Sequence, residues 1–460
     1  MKTDDRPLAA FRQELPYREL WPLARAFAAR GETMAFLDAG GDPAGDPDAR
    51  FSVLGWRPRR VVSWPAGRFG AIEGLRHVLG GRQMEPDPES PVPYRGGFIG
   101  WISYDIGRHI ERLPSLRPAD PATPDFVVAE FEALLVEDRR DKRLFFAGGC
   151  DPHEGPSRLF ARQAEVLEEW NLLRPDVAGA DGPAADVPVP DVTRDVHVAR
   201  VRRVLDYIVA GDIFQANLAQ RFTSRLSVPA IDVYARLRAA SPAPWGCHLR
   251  LGGPEILSIS PELFLSKTGD VVTTRPIKGT RPRSGDAAAD ARLADELETS
   301  AKDRAELAMI VDLLRNDLGR VARTGTVRVT QAREIRAHPT VFHASATVEA
   351  ELPRDVHAAD LVRATMPGGS ITGAPKIRAM EIIEELEDVR RGPYCGSAGW
   401  FGYDGDLRLN ILIRTLVVRD GAVSFHAGGG IVADSDPAAE YDETIVKARA
   451  LVAALSGGAR

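Results

Sequence analysis

Thr274-Arg275-Pro276-Ile277-Lys278-Gly279-Thr280-Arg281-Pro282-Arg283 concentrates one primary amine and three guanidinium groups in ten residues, with two prolines and a glycine among them. Prolines fix φ and remove N–H donors, so the stretch is too stiff for a disordered basic tail and too interrupted for a helix interior. Val271-Val272 and Thr273-Thr274 favour an extended strand that delivers Lys278 into a turn. A placed amine awaiting an anionic substrate is one reading of this segment. A solvated basic loop explains the same ten residues equally well.

Working outward, strands and helices alternate in mixed order. Apolar spacing predicts helices around Leu20–Phe27, over 157–173, over 194–210 up to Gly211, and over 231–239. Short apolar runs predict strands at 35–37, 51–54, 126–136, 144–147, 213–222, 248–251 and 256–260, and Gly96-Gly97 bends the entry to another at 94–105. Many strand pairs are close in sequence, which argues for an α+β fold rather than a doubly wound sheet. Residues 174–191 are rich in Pro, Ala, Gly and Asp without periodicity and read as a linker or surface loop. The chain therefore divides into an N-terminal region, 1–173, and a second region, 192–460.

Composition excludes several classes. A net charge of −6 without a long Lys/Arg block disfavours a nucleic-acid surface. No apolar run approaches the ~20 residues of a membrane span, and Met1–Asp5 lacks a signal-peptide core. Cys150, Cys247 and Cys395 have neither metal spacing nor the pattern of a disulfide framework. A soluble cytoplasmic enzyme is the expectation.

Leu307, Ile310, Val311, Leu314 and Leu318 form one stripe of a helix predicted over 295–323, placing Asp303 and Glu306 on a shared face. Asp436-Pro437 starts a last helix that carries Glu440 and Glu443 three apart, with Lys447 one turn on. Two carboxylate pairs without His or Cys suit Mg²⁺ better than Zn²⁺, although a single such pair is more often a solvated face. Pro367-Gly368-Gly369-Ser370-Ile371-Thr372-Gly373-Ala374-Pro375-Lys376 is a glycine-rich turn into a helix, whose N–H groups suit a carboxylate. It lacks the lysine and hydroxyl of a phosphate loop. Gly428, Gly429 and Gly430 make a second glycine run, equally readable as a tight turn before the last helix.

Together these stretches resemble the chorismate-utilising enzymes, in particular the component I subunits of anthranilate synthase and aminodeoxychorismate synthase. The carriers are Gly211-Asp212-Ile213-Phe214-Gln215-Ala216-Asn217-Leu218, Ser260-Pro261-Glu262, residues 276–283, 306–317, 368–380 and 427–447, with N-terminal matches at 50–58 and 96–107. The resemblance implies a large sandwich of two facing antiparallel sheets with helices packed outside. It implies Mg²⁺ held by Glu306 and Glu443 and supported by Asp303 and Glu440, binding the ring carboxylate of chorismate near Lys447. Arg414, Tyr394 and the backbone of Gly428, Gly429 and Gly430 would take the enolpyruvyl carboxylate. Ser370 and His343 would line the ring, and Glu262 would protonate the leaving C4 hydroxyl.

Two positions separate the branches of this family. Isochorismate and salicylate synthases carry a water-activating lysine where this chain has Gln215. Anthranilate synthases usually carry alanine at the position of Lys278, whereas aminodeoxychorismate synthases carry lysine. The resemblance therefore implies Lys278 as a transient nucleophile at C2, with ammonia arriving at C4 to give 4-amino-4-deoxychorismate for 4-aminobenzoate and folate. No cysteine is flanked by glycines two residues away on both sides, so ammonia is expected from a separate glutamine amidotransferase subunit or from solution. Phe36–Ala39 and Ser241–Trp245 depart from the elements of tryptophan-regulated anthranilate synthases, which implies absence of tryptophan feedback. Anthranilate synthase component I is the rival within the family. A non-catalytic chorismate- or tryptophan-binding subunit is the rival of another class.

Overall fold

A computed structural model describes residues 7–153, 155–173 and 182–457. Met1–Asp5 and 174–181, where the N-terminus and part of the linker were read, lie outside the described residues. No helix among the described residues is long and apolar enough to cross a membrane.

Two antiparallel sheets of twelve and ten strands hold the chain. The larger runs from Ala9–Leu15 through Arg143–Cys150, Ala133–Asp138, Phe51–Trp56, Met34–Asp38, Trp245–Arg250, Glu255–Ser260, Thr415–Arg419, Ala422–Ile431 and Gln215–Arg225 to Gly373–Ala374. The smaller runs from Ile277–Pro282 through Val341–Glu351, Val271–Arg275, Leu263–Thr268, Leu407–Asn410, Ser397–Gly402, Gly97–Ile102 and Phe126–Phe131 to Arg60–Trp64. Strands from before and after the linker meet in both sheets, at Met34–Asp38 against Trp245–Arg250 and at Gly97–Ile102 against Ser397–Gly402.

The sheets face each other over a core that includes Ala35, Val53, Ile99, Trp101, Val127 and Phe145. Several central strands are buried on both faces, which explains their continuous apolar runs where a half-exposed strand would alternate. Helices Trp21–Ala29, Ser157–Asn171, Ala230–Ala240 and Pro437–Ser456 cover the outer face of the larger sheet. Ala71–Leu79, Ala301–Gly319 and Ala358–Thr365 cover that of the smaller. The α+β sandwich with outer helices is therefore borne out.

Several local expectations change. The strand predicted over 126–136 is two, Phe126–Phe131 in the smaller sheet and Ala133–Asp138 in the larger. The helix predicted over 295–323 is two helices, Ala287–Thr299 and Ala301–Gly319. Ser300 leaves the helical region at ψ 112° and its hydroxyl accepts the Asp303 N–H at 3.2 Å, capping the second helix. Gly428, Gly429 and Gly430 lie inside the strand Ala422–Ile431, not in a turn, because they pair in register with Ala219, Leu218 and Asn217. Within the linker, Ala184 and Ala185 are buried in the outer core and Val189–Pro190 pairs with Gln215–Arg225, so this part is packed structure.

One buried histidine sets an acid limit on stability. His197 is 1 % exposed and neither ring nitrogen has a hydrogen-bond partner; its ring meets that of Tyr441 edge-on, 5.7 Å between centroids. Burial, aided by Arg200, lowers its pKa from 6.5 to about 4. The folded chain thus binds fewer protons than the unfolded one. Stability from this group is complete above pH 6.5 and is lost as pH falls toward about 4, by on the order of 1.4 kcal/mol per pH unit at most. Urea unfolding at about pH 7 and pH 5 should show a shallower acid loss in His197→Phe than in the parent; an unchanged slope would contradict the assignment.

Candidate active site

The site lies where the chain crosses between the sheets. Glu255–Ser260 belongs to the larger sheet and Leu263–Thr268 to the smaller, so Pro261 and Glu262 form a crossing link. Residues 411–414 make a second crossing, from Leu407–Asn410 to Thr415–Arg419. The two links are tied together: Ile411 N–H donates to Glu262 O at 3.1 Å, Ser260 Oγ–H to Ile411 O at 2.5 Å, and Ile259 N–H to Arg414 O at 3.2 Å. Glu262 and Arg414, far apart in sequence, are thereby fixed at one seam.

Lys278 lies in a bulge, not in the turn expected from the sequence. Ile277 pairs with Ser345 and Thr280 with His343, leaving Lys278 and Gly279 opposite a single residue. A bulge re-aims a side chain, here out of the ladder. Gly279 has φ 87°, and a Cβ there would stand 2.8 Å from Leu297 Cδ1 and 2.9 Å from Asp303 Oδ1, so the position needs glycine. The Lys278 ammonium donates to the Ser370 carbonyl at 3.1 Å. The Ser370 hydroxyl and the Ile277 N–H are hydrogen-bonded to the Glu262 carboxyl. Lys278, Ser370 and Glu262 therefore form one connected group.

Electrostatics set this pair apart from ordinary surface ions. Burial, then the Lys447 charge, holds the Lys278 amine below its usual range, and Glu262, Glu306 and Glu443 only partly offset them. Burial raises the Glu262 carboxyl against the pull of Ser370, Lys278 and Ile277. An amine that loses its proton more easily and a carboxyl that keeps its own are suited to nucleophile and acid.

The charges of Glu306 and Glu443 act on Lys278 and on each other. Lys447 Nζ lies 2.6 Å from Glu443 Oε1 and donates to Gly428 O at 2.9 Å. A Cβ on Gly429 would be 3.1 Å from Glu440 Oε2 and 3.3 Å from Glu443 Oε1, so glycine lets these carboxylates lie on the strand backbone. Glu440 Oε1 accepts the Ser435 hydroxyl at 2.5 Å. Asp303 is held by Arg281 at 3.2 Å, and Glu306 has Lys302 at 4.0 Å. Burial raises Glu306 and Glu440, and the negative charge of Glu443 adds to both. These donors are all oxygen, the chemistry a hard divalent cation prefers. Among the described residues no three Asp, Glu, His or Cys side chains close on a single metal position.

Arg414 takes φ 50°, the left-handed region that normally favours glycine. Its guanidinium is lowered in pKa by burial, and no carboxylate pairs with it among the described residues. An unpaired guanidinium held in such a conformation fits an anionic ligand. His343 is 2 % exposed, its Nδ1 has no partner, and burial together with Arg414 and His338 keeps it neutral. The Tyr394 ring stacks on His426 at 4.9 Å and 11°. The turn Gly369–Ile371 supplies the Ser370 carbonyl and hydroxyl. Its Ile371 and Thr372 N–H groups point back to Gly368 and Gly369 at 3.4 Å, so the expected cradle of N–H groups is only partly available.

Several residues take places that the sequence reading did not assign to them. Lys376 is no ligand: it is bonded to Asp317 at 2.5 Å and Thr365 O at 3.1 Å, anchoring the turn to the helix Ala301–Gly319. Gln215 is fully buried with both amide atoms unpartnered, packed on Gly430. Arg391, Glu387 and His426 lie around Tyr394 and were not singled out; Glu387 and Arg391 pair four residues apart just past a helix end. Leu37, Asp38, Ala39, Pro244 and Trp245, from the two segments that depart from tryptophan-regulated enzymes, line one pocket between the sheets. Asp38 in its wall is bonded to Tyr234 at 3.1 Å and Arg238 at 2.8 Å.

Comparison with known proteins bears on the family and the fold. The sequence model of the chorismate binding enzymes matches residues 46–453. Anthranilate synthase component 1 of Thermus thermophilus is 42% identical over 418 residues, 88% of this chain and 89% of that protein. Aminodeoxychorismate synthase component 1 of Escherichia coli is 40% identical over 376 residues, 82% of this chain and 80% of that protein. The crystal structure of anthranilate synthase component I from Streptococcus pneumoniae superposes with a TM-score of 0.76 at 31% identity, covering 88% of this chain and 92% of that one.

Proposed function

The chain belongs to the chorismate binding enzymes, and from that premise we propose that it is the component I subunit of an aminodeoxychorismate synthase. Relatives of both kinds have nearly the same identity, 42% and 40%, so overall similarity does not choose between them. The observation that carries the reading is the Lys278 amine, aimed by a bulge and linked to the Glu262 carboxyl through Ser370.

The unprotonated amine of Lys278 forms a bond to C2 of the chorismate ring while the ring double bonds shift and the C4–O bond breaks. Glu262 gives its proton to the departing oxygen, which leaves as water. Ammonia then forms a bond at C4, the double bonds shift back, and the C2–N bond to Lys278 breaks. The proton released by the incoming nitrogen returns to Glu262. Net, a hydroxyl is exchanged for an amine and water is released, giving 4-amino-4-deoxychorismate. The amine lands para to the ring carboxylate because the lysine occupies C2.

Arg414 and Tyr394, with the backbone of Gly428–Gly430, seat the enolpyruvyl carboxylate; Ser370 and His343 line the ring. Glu306 and Glu443, supported by Asp303 and Glu440, are the residues that would hold Mg²⁺, with Lys447 beside them. When bound, Mg²⁺ supplies neutralisation of the ring carboxylate. Gln215, an amide without basicity, leaves a water nucleophile unactivated. Ammonia comes from a glutamine amidotransferase partner, and the product leads toward 4-aminobenzoate and folate.

Incubating the protein with chorismate, Mg²⁺ and ammonium should give 4-amino-4-deoxychorismate, convertible to 4-aminobenzoate by an added lyase. Fluorescent anthranilate as the main product would overturn the reading in favour of anthranilate synthase.

A further inference from the structure

Arg391 lies behind the substrate face, with a side chain only 1 % exposed. It grips Glu387 in a fork, Nη2 to Oε1 at 2.6 Å and Nε to Oε2 at 2.9 Å. Both residues lie just past the helix Lys376–Leu386, Glu387 as its extended C-cap. The remaining bonds reach other segments: Nη1 donates to Ile371 O at 3.0 Å and Nη2 to Asn217 O at 2.5 Å. Glu387 Oε1 also accepts the Ala219 N–H at 2.9 Å. The guanidinium lies 5.7 Å from the centre of the Tyr394 ring and 4.8 Å from that of Tyr104. His426 stacks against Tyr394 in turn, so the ring is held by contacts to both a guanidinium and an imidazole.

These contacts reach three pieces of the site that are not neighbours in sequence. Ile371 follows Ser370 in the turn that holds Lys278 and Glu262. Asn217 and Ala219 stand in register with Gly430 and Gly428 on the adjacent strand. Tyr394 is the third piece. A buried ion pair is a weak source of stability, since apolar replacements of equal volume are often neutral. An apolar side chain could not, however, bond two carbonyls and face a ring at once.

We infer that Arg391, braced by Glu387, is a positioning residue that registers the Ser370 turn, the glycine strand and Tyr394 against one another and so sets the seat of the substrate's enolpyruvyl carboxylate. The inference rests on the proposed place of that carboxylate, but not on which product is formed.

Chorismate consumption, followed by loss of substrate, is blind to the product and separates the two. Arg391→Lys keeps the charge but loses the fork. It should raise KM for chorismate roughly tenfold to a hundredfold with kcat changed much less, as expected for a seat displaced by about an ångström. The same measurement on Tyr394→Phe and on the double variant should be non-additive, the double losing little more than Arg391→Lys alone. Glu387→Gln, which preserves shape, should shift KM in the same direction. A wild-type KM in a folded Arg391→Lys, additive losses, or a fall confined to kcat would overturn the inference. If both Arg391→Lys and Glu387→Gln failed to fold, the pair would belong to the folding core and the positioning role would likewise fall. Anthranilate as product would refute the proposed function and leave this inference standing.

Discussion

Replacing Lys278 by alanine is expected to slow formation of 4-amino-4-deoxychorismate by on the order of a hundred- to a thousandfold, while KM for chorismate stays close to the parent value. The amine forms a bond only during reaction, so its loss falls on kcat. The pH dependence identifies the group. The reacting amine must be unprotonated, and burial and Lys447 hold it below the usual lysine value of 10.5. Activity should therefore rise with pH through a midpoint below 10.5, and this rising limb should vanish in the alanine variant. A variant with the parent rate and profile would exclude covalent participation by this lysine.

Glu262→Gln is expected to cost about 10²- to 10⁴-fold in kcat, the usual share of general acid catalysis. The amide oxygen can still accept from Ser370 and Ile277, so the crossing link should hold. What is lost is the transferable proton. Burial raises the carboxyl above its ordinary 4.5, so the acid form persists to higher pH than in an exposed glutamate. Activity depending on it should be present below that raised pKa and fall as pH climbs through it, giving a descending limb absent from the glutamine variant. Comparing kcat against pH for both proteins reads this directly; identical descending limbs would assign the acid elsewhere.

Local patterns were legible where local physics decides them. The last helix starts at Pro437 after the Asp436 cap, which accepts from Ala438 and Ala439 at 3.0 and 2.8 Å. The break at Ser300 was also written locally, as Ser300-Ala301-Lys302-Asp303; the apolar stripe of the following helix concealed it. The glycine run could not be read, because glycines carry no apolar alternation and suit either a turn or a strand approached by carboxylates. The bulge at Lys278 was equally hidden, since register depends on the partner strand Val341–Glu351.

By itself the sequence determined which chemistry is present: an amine at Lys278 in a stiff segment, a carboxyl at Glu262, acidic pairs three apart on two helices, and enough alternating strands for an α+β sandwich. Only the tertiary structure decided which of these groups meet. Ser370 joins Lys278 to Glu262, and Arg391 joins the Ser370 turn, the glycine strand and Tyr394, over separations up to 174 residues. The physical reason is that such partners are selected by strand register and by the two links crossing between the sheets. No propensity or spacing within a segment encodes either.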